Sequence, residues 1–494
     1  MGQQIETVSF TESEYKTFQS RLLDNLQSLK QVLQRPDFGC GEVSIGAELE
    51  MYLVDEQTRP LSLNRTLLER SGHPQLALEL NRFNIEYNLT PVFAADRPFS
   101  LLEREMQLAM SHLNELLLPE QGSVLPIGIL PTLKRSDFGP HAMTDERRFT
   151  ALSRALAAKR GSMFSIHIDG DEPLSLRARD VTLEGANTSF QLHFKVSPDS
   201  FADLFNTLQL VTPVMVALAA NSPFMLEHKL WHETRVPLFQ QAIDGRSAEE
   251  SQRGVPSRVD FGSGWVREGA YELFAEMVHL HEPLLPVSGT EDSLLVAGQG
   301  GVPKLDELRL HAGTIWPWNR VVYDPAQGGH LRIEIRALPA GPSACDMAAN
   351  AAFYLGVAAG LKHRINDIIP ALPFSTLRSN FETAARRSLK AELMWPNPDP
   401  PHGLTKQSVV EIASSLIPVA RQGLLSLEVE PGEIETQLRI IEKRLQTGTN
   451  GAIWQRGEYH RLCRTLQSHA ALVKMVQNYR IHQQANLPVA EWGH

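Results

Sequence analysis

Carboxylate, imidazole, amide and guanidinium groups recur on four short segments of this 494-residue chain, in a spacing suited to metal and phosphate chemistry. GAELEMYLV carries Glu48 and Glu50, and FNIEYNLT carries Glu86 between Asn84 and Asn88. SFQLHFKV carries Gln191, His193 and Lys195, and LRIEIRAL carries Arg332, Glu334 and Arg336. Hard divalent cations take oxygen ligands, and Mg²⁺ usually shares its shell with substrate phosphates. Arginine presents a planar fork that matches phosphate or carboxylate. Other metal and nucleotide motifs are missing. The three cysteines match no zinc or redox spacing. SRVDFGSGW (257–265) is Gly-rich but lacks the Gly-Lys-Ser/Thr of a P-loop. It reads equally as a substrate loop or an ordinary surface loop.

The elements that must position these groups alternate with period two. In Val43–Val54 the odd positions Val43, Ile45, Ala47, Leu49, Met51 and Leu53 are apolar, which puts Glu48 and Glu50 side by side on the other face. Phe83–Thr90 sets Phe83, Ile85, Tyr87 and Leu89 against Asn84, Glu86, Asn88 and Thr90. Ser189–Val196 sets Phe190, Leu192, Phe194 and Val196 against Ser189, Gln191, His193 and Lys195. Leu331–Leu338 sets Leu331, Ile333, Ile335 and Ala337 against Arg332, Glu334 and Arg336. For any one strand, a solvated polar face is the ordinary explanation. Glu is disfavoured in strands, however, and same-face carboxylates repel unless cations balance them. Taken jointly, the four strands favour a metal–nucleotide face, with the apolar side resting on helices.

Helices account for much of the remainder. Residues 11–34 read as a helix opened by a Thr11–Glu14 capping box, and Leu101–Leu118 as another opened by Ser100–Glu103. Phe201–Ala220 is apolar nearly all round and Ala348–Leu361 is Ala-rich, so both read as buried. Beyond about Ser375, FETAARRSLKAELMW, Ser408–Leu425, Ile434–Leu445 and Tyr459–His482 favour helix, with PNPDPPHG (396–403) as a turn-rich break. Ser165, His167 and Asp169 share a strand face that a hairpin edge explains. Trp316, Trp318 and Trp395, beside prolines, read as packing residues.

The balance of 47 basic against 57 acidic residues, with no Lys/Arg tract, leaves no electrostatic footprint for nucleic acid. Neither a signal peptide nor a run of membrane-spanning length is expected. The opening MGQQIE departs from an acylation pattern at Glu6. Sparse, odd cysteines (Cys40, Cys345, Cys463) suit a reducing, cytoplasmic setting, and Cys345 and Cys463 read as buried packing residues.

Six segments, in order over about residues 42–365, resemble the glutamate–cysteine ligase family in its bacterial and plant-type carboxylate–amine ligase branch. GAELEMYLVD resembles its opening Gly-x-Glu-x-Glu strand, ELNRFNIEYNLTPV the next strand with its Thr-Pro turn, and TSFQLHF its Gln-x-His strand. ANSPF with downstream Arg235, HAGTIWPWNR, and LRIEIRALP complete the set. The resemblance implies an α+β fold: a curved antiparallel sheet, a glutamine synthetase-like half-barrel or funnel, with helices outside. The helical C-terminal region beyond about residue 375 is read from its own pattern and matches nothing in the family. Together the patterns divide the chain into an N-terminal helix packed on the body (1–41), a catalytic body (42–374) and that helical region (375–494).

The resemblance also implies ATP as co-substrate and two or three Mg²⁺ ions. Glu48, Glu50, Glu79, Glu86, His193 and Glu334 match the metal ligands. Arg336 and Arg320 match basic groups facing phosphate or carboxylate, with Arg332 and Lys195 also toward ATP, although many relatives have Asn or His at the Lys195 position. Arg235 and Gln191 match substrate contacts. The implied reaction is ATP-dependent amide formation through an acyl phosphate, first with glutamate and cysteine giving γ-glutamylcysteine for glutathione biosynthesis. A different acid or amine, or a non-catalytic nucleotide-binding relative, are the alternatives, the last opposed by the retained acids. Small molecules are the expected partners, without nucleic acid or membrane, and a homo-oligomer is left open.

Overall fold

The computed structural model describes Ile5 and residues 7–397 and 403–493. Most of the acylation-like opening and of the 396–403 break lies outside the described residues. The four alternating segments all become strands: β1 (Ser44–Val54), β3 (Asn84–Asn88), β6 (Phe190–Val196) and β8 (His330–Ile335). They are joined by β2 (Leu76–Leu78), β4 (Val92–Phe93), β5 (Ser123–Leu125) and β7 (Asn319–Asp324). These eight strands form one sheet in the order β7-β8-β6-β1-β3-β2, with β4 and β5 pairing to β1. Every pairing is antiparallel, and the sheet curls into a half-barrel.

Alternation decides which face is covered. Ile45, Ala47, Leu49, Met51 and Leu53 of β1 are buried, whereas Ser44, Gly46, Glu48 and Glu50 stay partly open. Phe194, Leu192, Ile333 and Ile335 continue the apolar face across β6 and β8. Helices Pro98–Leu116 and Phe201–Ala219 pack on the sheet, and helix Ala344–Leu361 packs on both. The stretches Pro198–Ala219 and Ala344–Leu361 are long and apolar enough to cross a membrane, contrary to the sequence reading; they are 89% and 94% buried inside the protein. Their apolar circumference is matched by protein on all sides.

Helix Val409–Ser426 forms the next layer. It crosses helix Ala344–Leu361 at glycine, where a Cβ on Gly423 would sit 1.9 Å from the Gly356 carbonyl oxygen. No side chain fits between the two backbones there. The sequence reading fails at several points beyond residue 375. ELMW belongs to a hairpin, Glu392–Asn397 with Gly403–Ser408, and Tyr459–His482 is two helices, Gly451–Leu462 and Ser468–Gln484. Cys463, in the gap between those helices, is exposed; Cys345 is buried as expected. Near the N-terminus, the Thr11–Glu14 capping box forms. The second helix instead starts at Pro98, and Ser100 donates its backbone N–H to Glu433 at 2.6 Å.

Candidate active site

Register, more than proximity in sequence, assembles the polar face. Glu48 lies opposite Gln191, and Glu50 opposite Glu86. His193 lies between Gly46 and Glu334, and Glu334 faces Arg320 on its other side. Glu79 follows the end of β2, next to the strand that carries Glu86. A one-residue slip would turn all of these groups into the helix layer, so burial of the apolar face fixes the site. Together they line a cavity of about 610 Å³. Arg148, Glu184, Arg320, Arg332 and Arg336 also line it, as does an apolar set that includes Phe149, Leu152, Leu156, Phe274 and Trp316.

Two groups of possible metal ligands stand side by side, Glu48–His193–Glu334 and Glu50–Glu79–Glu86, each with ligand atoms within 4.8 Å of one another. The first is met by an imidazole and two arginines. His193 Nε2 lies 3.0 Å from Glu48 Oε1. Arg320 clasps Glu334 through Nε and a second nitrogen at 2.9 Å, and Arg336 reaches the same carboxylate at 2.9 Å. Burial pushes the Glu48 and Glu334 carboxyls up, but His193 and Arg336 beside Glu48, and Arg320 and Arg336 beside Glu334, hold both below the ordinary range.

The second group has mostly neutral donors. Glu50 accepts from the Ser189 backbone N–H at 2.6 Å and from Gln191 at 2.7 Å, and Glu86 accepts from Asn88 at 2.6 Å. Burial and the neighbouring carboxylates push Glu86 up to about 7 and Glu79 well above its usual value. Burial also raises Glu50, against the pull of Arg336 and Arg235. An oxygen-rich, partly buried donor set with uncompensated negative charge fits a hard divalent ion.

The structure brings together Glu48, Glu50, Glu79, Glu86, Gln191, His193, Arg320, Arg332, Glu334 and Arg336 around this cavity. Arg332 also donates to Asp324 at 2.9 Å. Two expected residues stand apart from its lining. Lys195 donates its ammonium to the Cys40 carbonyl at 3.1 Å. Arg235 is buried against Glu233 at 3.1 Å and the carbonyls of Ala337 and Arg336 at 3.2 and 3.3 Å. ANSPF is a joint: Asn221 donates to the Ala340 carbonyl and Tyr479 hydroxyl, both at 2.8 Å, and accepts from Gln455 at 2.8 Å. Segment 257–265 packs beneath Trp316 and Trp318, whose backbone N–H groups donate to the Arg258 and Asp260 carbonyls at 2.7 and 3.0 Å. It does not line the cavity. His311 is buried at 2.9 Å from the Met277 carbonyl. Of the three tryptophans read as packing, Trp316 also faces the cavity.

Sequence reasoning missed Glu184 and Arg148. Glu184 sits on a single 3-10 turn, Glu184–Ala186, and Arg148 begins helix Arg147–Arg160. Neither belongs to an alternating strand, so periodicity gave no signal.

The family match over part of the chain supports an ATP-dependent ligase. Residues 44–260 match the family model of glutamate-cysteine ligase family 2, and the resemblance read from the motifs is borne out over that span, which holds β1, β3 and β6. No curated protein matches the chain. Several solved structures match at low identity, three of them as follows. A glutamate–cysteine ligase from Francisella tularensis in complex with AMP is 11% identical with a TM-score of 0.47, the match covering 91% of this chain and 90% of that one. A bifunctional glutathione synthetase from Pasteurella multocida is 12% identical with a TM-score of 0.46, covering 94% and 55%. The complex of the prokaryotic ubiquitin-like protein Pup with its ligase PafA gives 10% identity and a TM-score of 0.35, covering 91% and 70%.

Proposed function

We propose that this chain is a cytoplasmic Mg²⁺-dependent ligase that joins the γ-carboxylate of glutamate to the amine of cysteine. The products are γ-glutamylcysteine, ADP and phosphate, a step in glutathione biosynthesis. The observation that carries this reading is the convergence of five glutamates in two clusters, one imidazole and three arginines, drawn from neighbouring strands and their ends, in a single cavity. Glu48, His193 and Glu334 would hold one Mg²⁺, and Glu50, Glu79 and Glu86 another. Bound there, Mg²⁺ would offset charge on the phosphates and on the acids together.

In the first step a carboxylate oxygen of the acid bonds to the γ-phosphorus of ATP. The bond from that phosphorus to the β–γ bridging oxygen breaks, releasing ADP and leaving an acyl phosphate. In the second step the amine nitrogen bonds to the acyl carbon, the carbon–oxygen bond breaks, phosphate departs and the nitrogen loses a proton. Positioning and charge stabilisation do most of this work, and no side-chain nucleophile is required. Arg336 and Arg320 are assigned to the transferring phosphoryl group, and Arg332 to the nucleotide phosphates. In the structure Arg336 and Arg320 rest on Glu334, so they are held at the site before phosphate arrives.

The test is ADP release with Mg²⁺, ATP and a panel of amino acids and amines. Release that depends on glutamate plus cysteine supports the proposal. The apolar lining from Phe149, Leu152, Leu156 and Phe274 favours a second reading, the same chemistry with a larger apolar amine. Release with that class and not with cysteine would select it. Nucleotide-dependent thermal stabilisation without any turnover would mark a non-catalytic binder.

A further inference from the structure

We infer that Glu184 receives the ammonium group of the amino acid whose carboxylate is activated; this rests on the ligase reading above. Its carboxylate lines the cavity and has no hydrogen-bond or ion-pair partner among the described residues. It lies within the field of Glu50 and Arg336 but outside both groups of clustered metal ligands.

The turn that carries Glu184 is held on several sides. Asn81 donates to the Thr182 carbonyl at 2.9 Å, before the turn. Gly185 lies against the same asparagine, where a Cβ would meet Asn81 Nδ2 at 2.4 Å. The Tyr52 hydroxyl donates to the Ala186 carbonyl, and Asn187 donates to the carbonyl of Glu184 itself at 2.8 Å. Beyond the turn, the Thr188 backbone N–H donates to the Gly128 carbonyl at 3.0 Å. Backbone on both sides is thus fixed to the sheet and its flanking segments, while the one charged side chain of the turn is left to the cavity. Such an arrangement presents a carboxylate at a set position at little entropic cost on binding.

A cation suits that carboxylate, which faces the cavity with the acids Glu50 and Glu79 near it and Arg336 to offset them. The ammonium of the acyl donor suits the place, since it takes no part in either bond-forming step and remains charged through both. The attacking amine, by contrast, must lose its proton, and a carboxylate that held it charged would oppose the reaction.

The experiment compares an amino acid with its des-amino counterpart, glutamate against glutarate, in wild type, Glu184→Gln and Glu184→Asp. ADP release and thermal stabilisation are both read, at saturating Mg²⁺ and ATP. The wild type is expected to prefer glutamate. Glu184→Gln is expected to raise the KM for glutamate on the order of 10- to 100-fold, with glutarate little changed, so that the preference collapses. Stabilisation by Mg²⁺ alone should remain, and Glu184→Asp should recover part of the preference. Unchanged preference in Glu184→Gln overturns the inference, as does a KM rise confined to the amine substrate or a loss of Mg²⁺ stabilisation. If the wild type releases no ADP with any amino acid, the ligase reading falls first and this inference with it.

Discussion

The two groups of acids sit on the same sheet face yet are built on opposite principles. Glu48 and Glu334 are matched by His193, Arg320 and Arg336, whereas Glu50, Glu79 and Glu86 have backbone and amide donors and one another. Carboxylates paired with cations are at ease in a partly buried site, and carboxylates packed together are not. The first group therefore has internal partners that compete with an incoming metal. The second stores a repulsion that a metal would relieve. On the proposed function, the contrast divides the labour: one side holds arginines ready for phosphate and the other supplies the demand for a divalent ion.

The largest expected effect falls on chemistry. Glu48→Gln and Glu334→Gln should each cut ADP formation by at least 10²–10³-fold, with circular dichroism unchanged, since such groups contribute a few kcal/mol to the transition state. Turnover near wild type in either would break the site assignment.

The comparison is sharpened by the metal-free protein. Glu334→Gln should lower its melting temperature by several degrees, because it leaves two part-buried guanidinium groups with half a partner. Glu79→Gln should raise it, because one of three mutually repelling carboxylates is removed, while reducing stabilisation by Mg²⁺. Shifts of the same sign in calorimetry would mean that the two groups do not differ in the way described.

The pH dependence has a definite direction. Glu86 and Glu184 hold protons up to about 7 and about 8, above the ordinary carboxyl value of 4.5 to which unfolding returns them. Between those limits the native state binds more protons than the unfolded chain, so metal-free stability falls as pH rises from about 5 to about 8. Mg²⁺ competes with the proton on Glu86, so its stabilising effect should be larger at pH 8 than at pH 6. Melting curves at the two values check both signs. The smallest effect is expected at Lys195, which is turned to the Cys40 carbonyl. Lys195→Met should alter the KM for ATP by less than about threefold, a surface-contact effect.

How far the site was legible follows from how each part is specified. The period-two strands could be read directly, because one face of each is wholly apolar, and register then followed from burying it. Glu79 had no such signal: it lies just past a three-residue strand whose pairing depends on β3. Glu184 was hidden because a single 3-10 turn leaves no periodic trace. In ELMW, residues with good helix propensity were overridden by pairing with Gly403–Ser408, a tertiary effect that local preference does not contain. Arg235 shows the converse hazard. Its place in a motif suggested a substrate contact, but its guanidinium bonds to Glu233 and to the carbonyls of Ala337 and Arg336 and does not line the cavity.

The central claim is tested most directly by crystals grown with Mn²⁺ and a non-hydrolysable ATP analogue. The account predicts anomalous peaks at both groups, Glu48–His193–Glu334 and Glu50–Glu79–Glu86, with the triphosphate bridging them and Arg336 turned toward it. A nucleotide bound elsewhere on the protein, with no anomalous peak in the cavity, would contradict it.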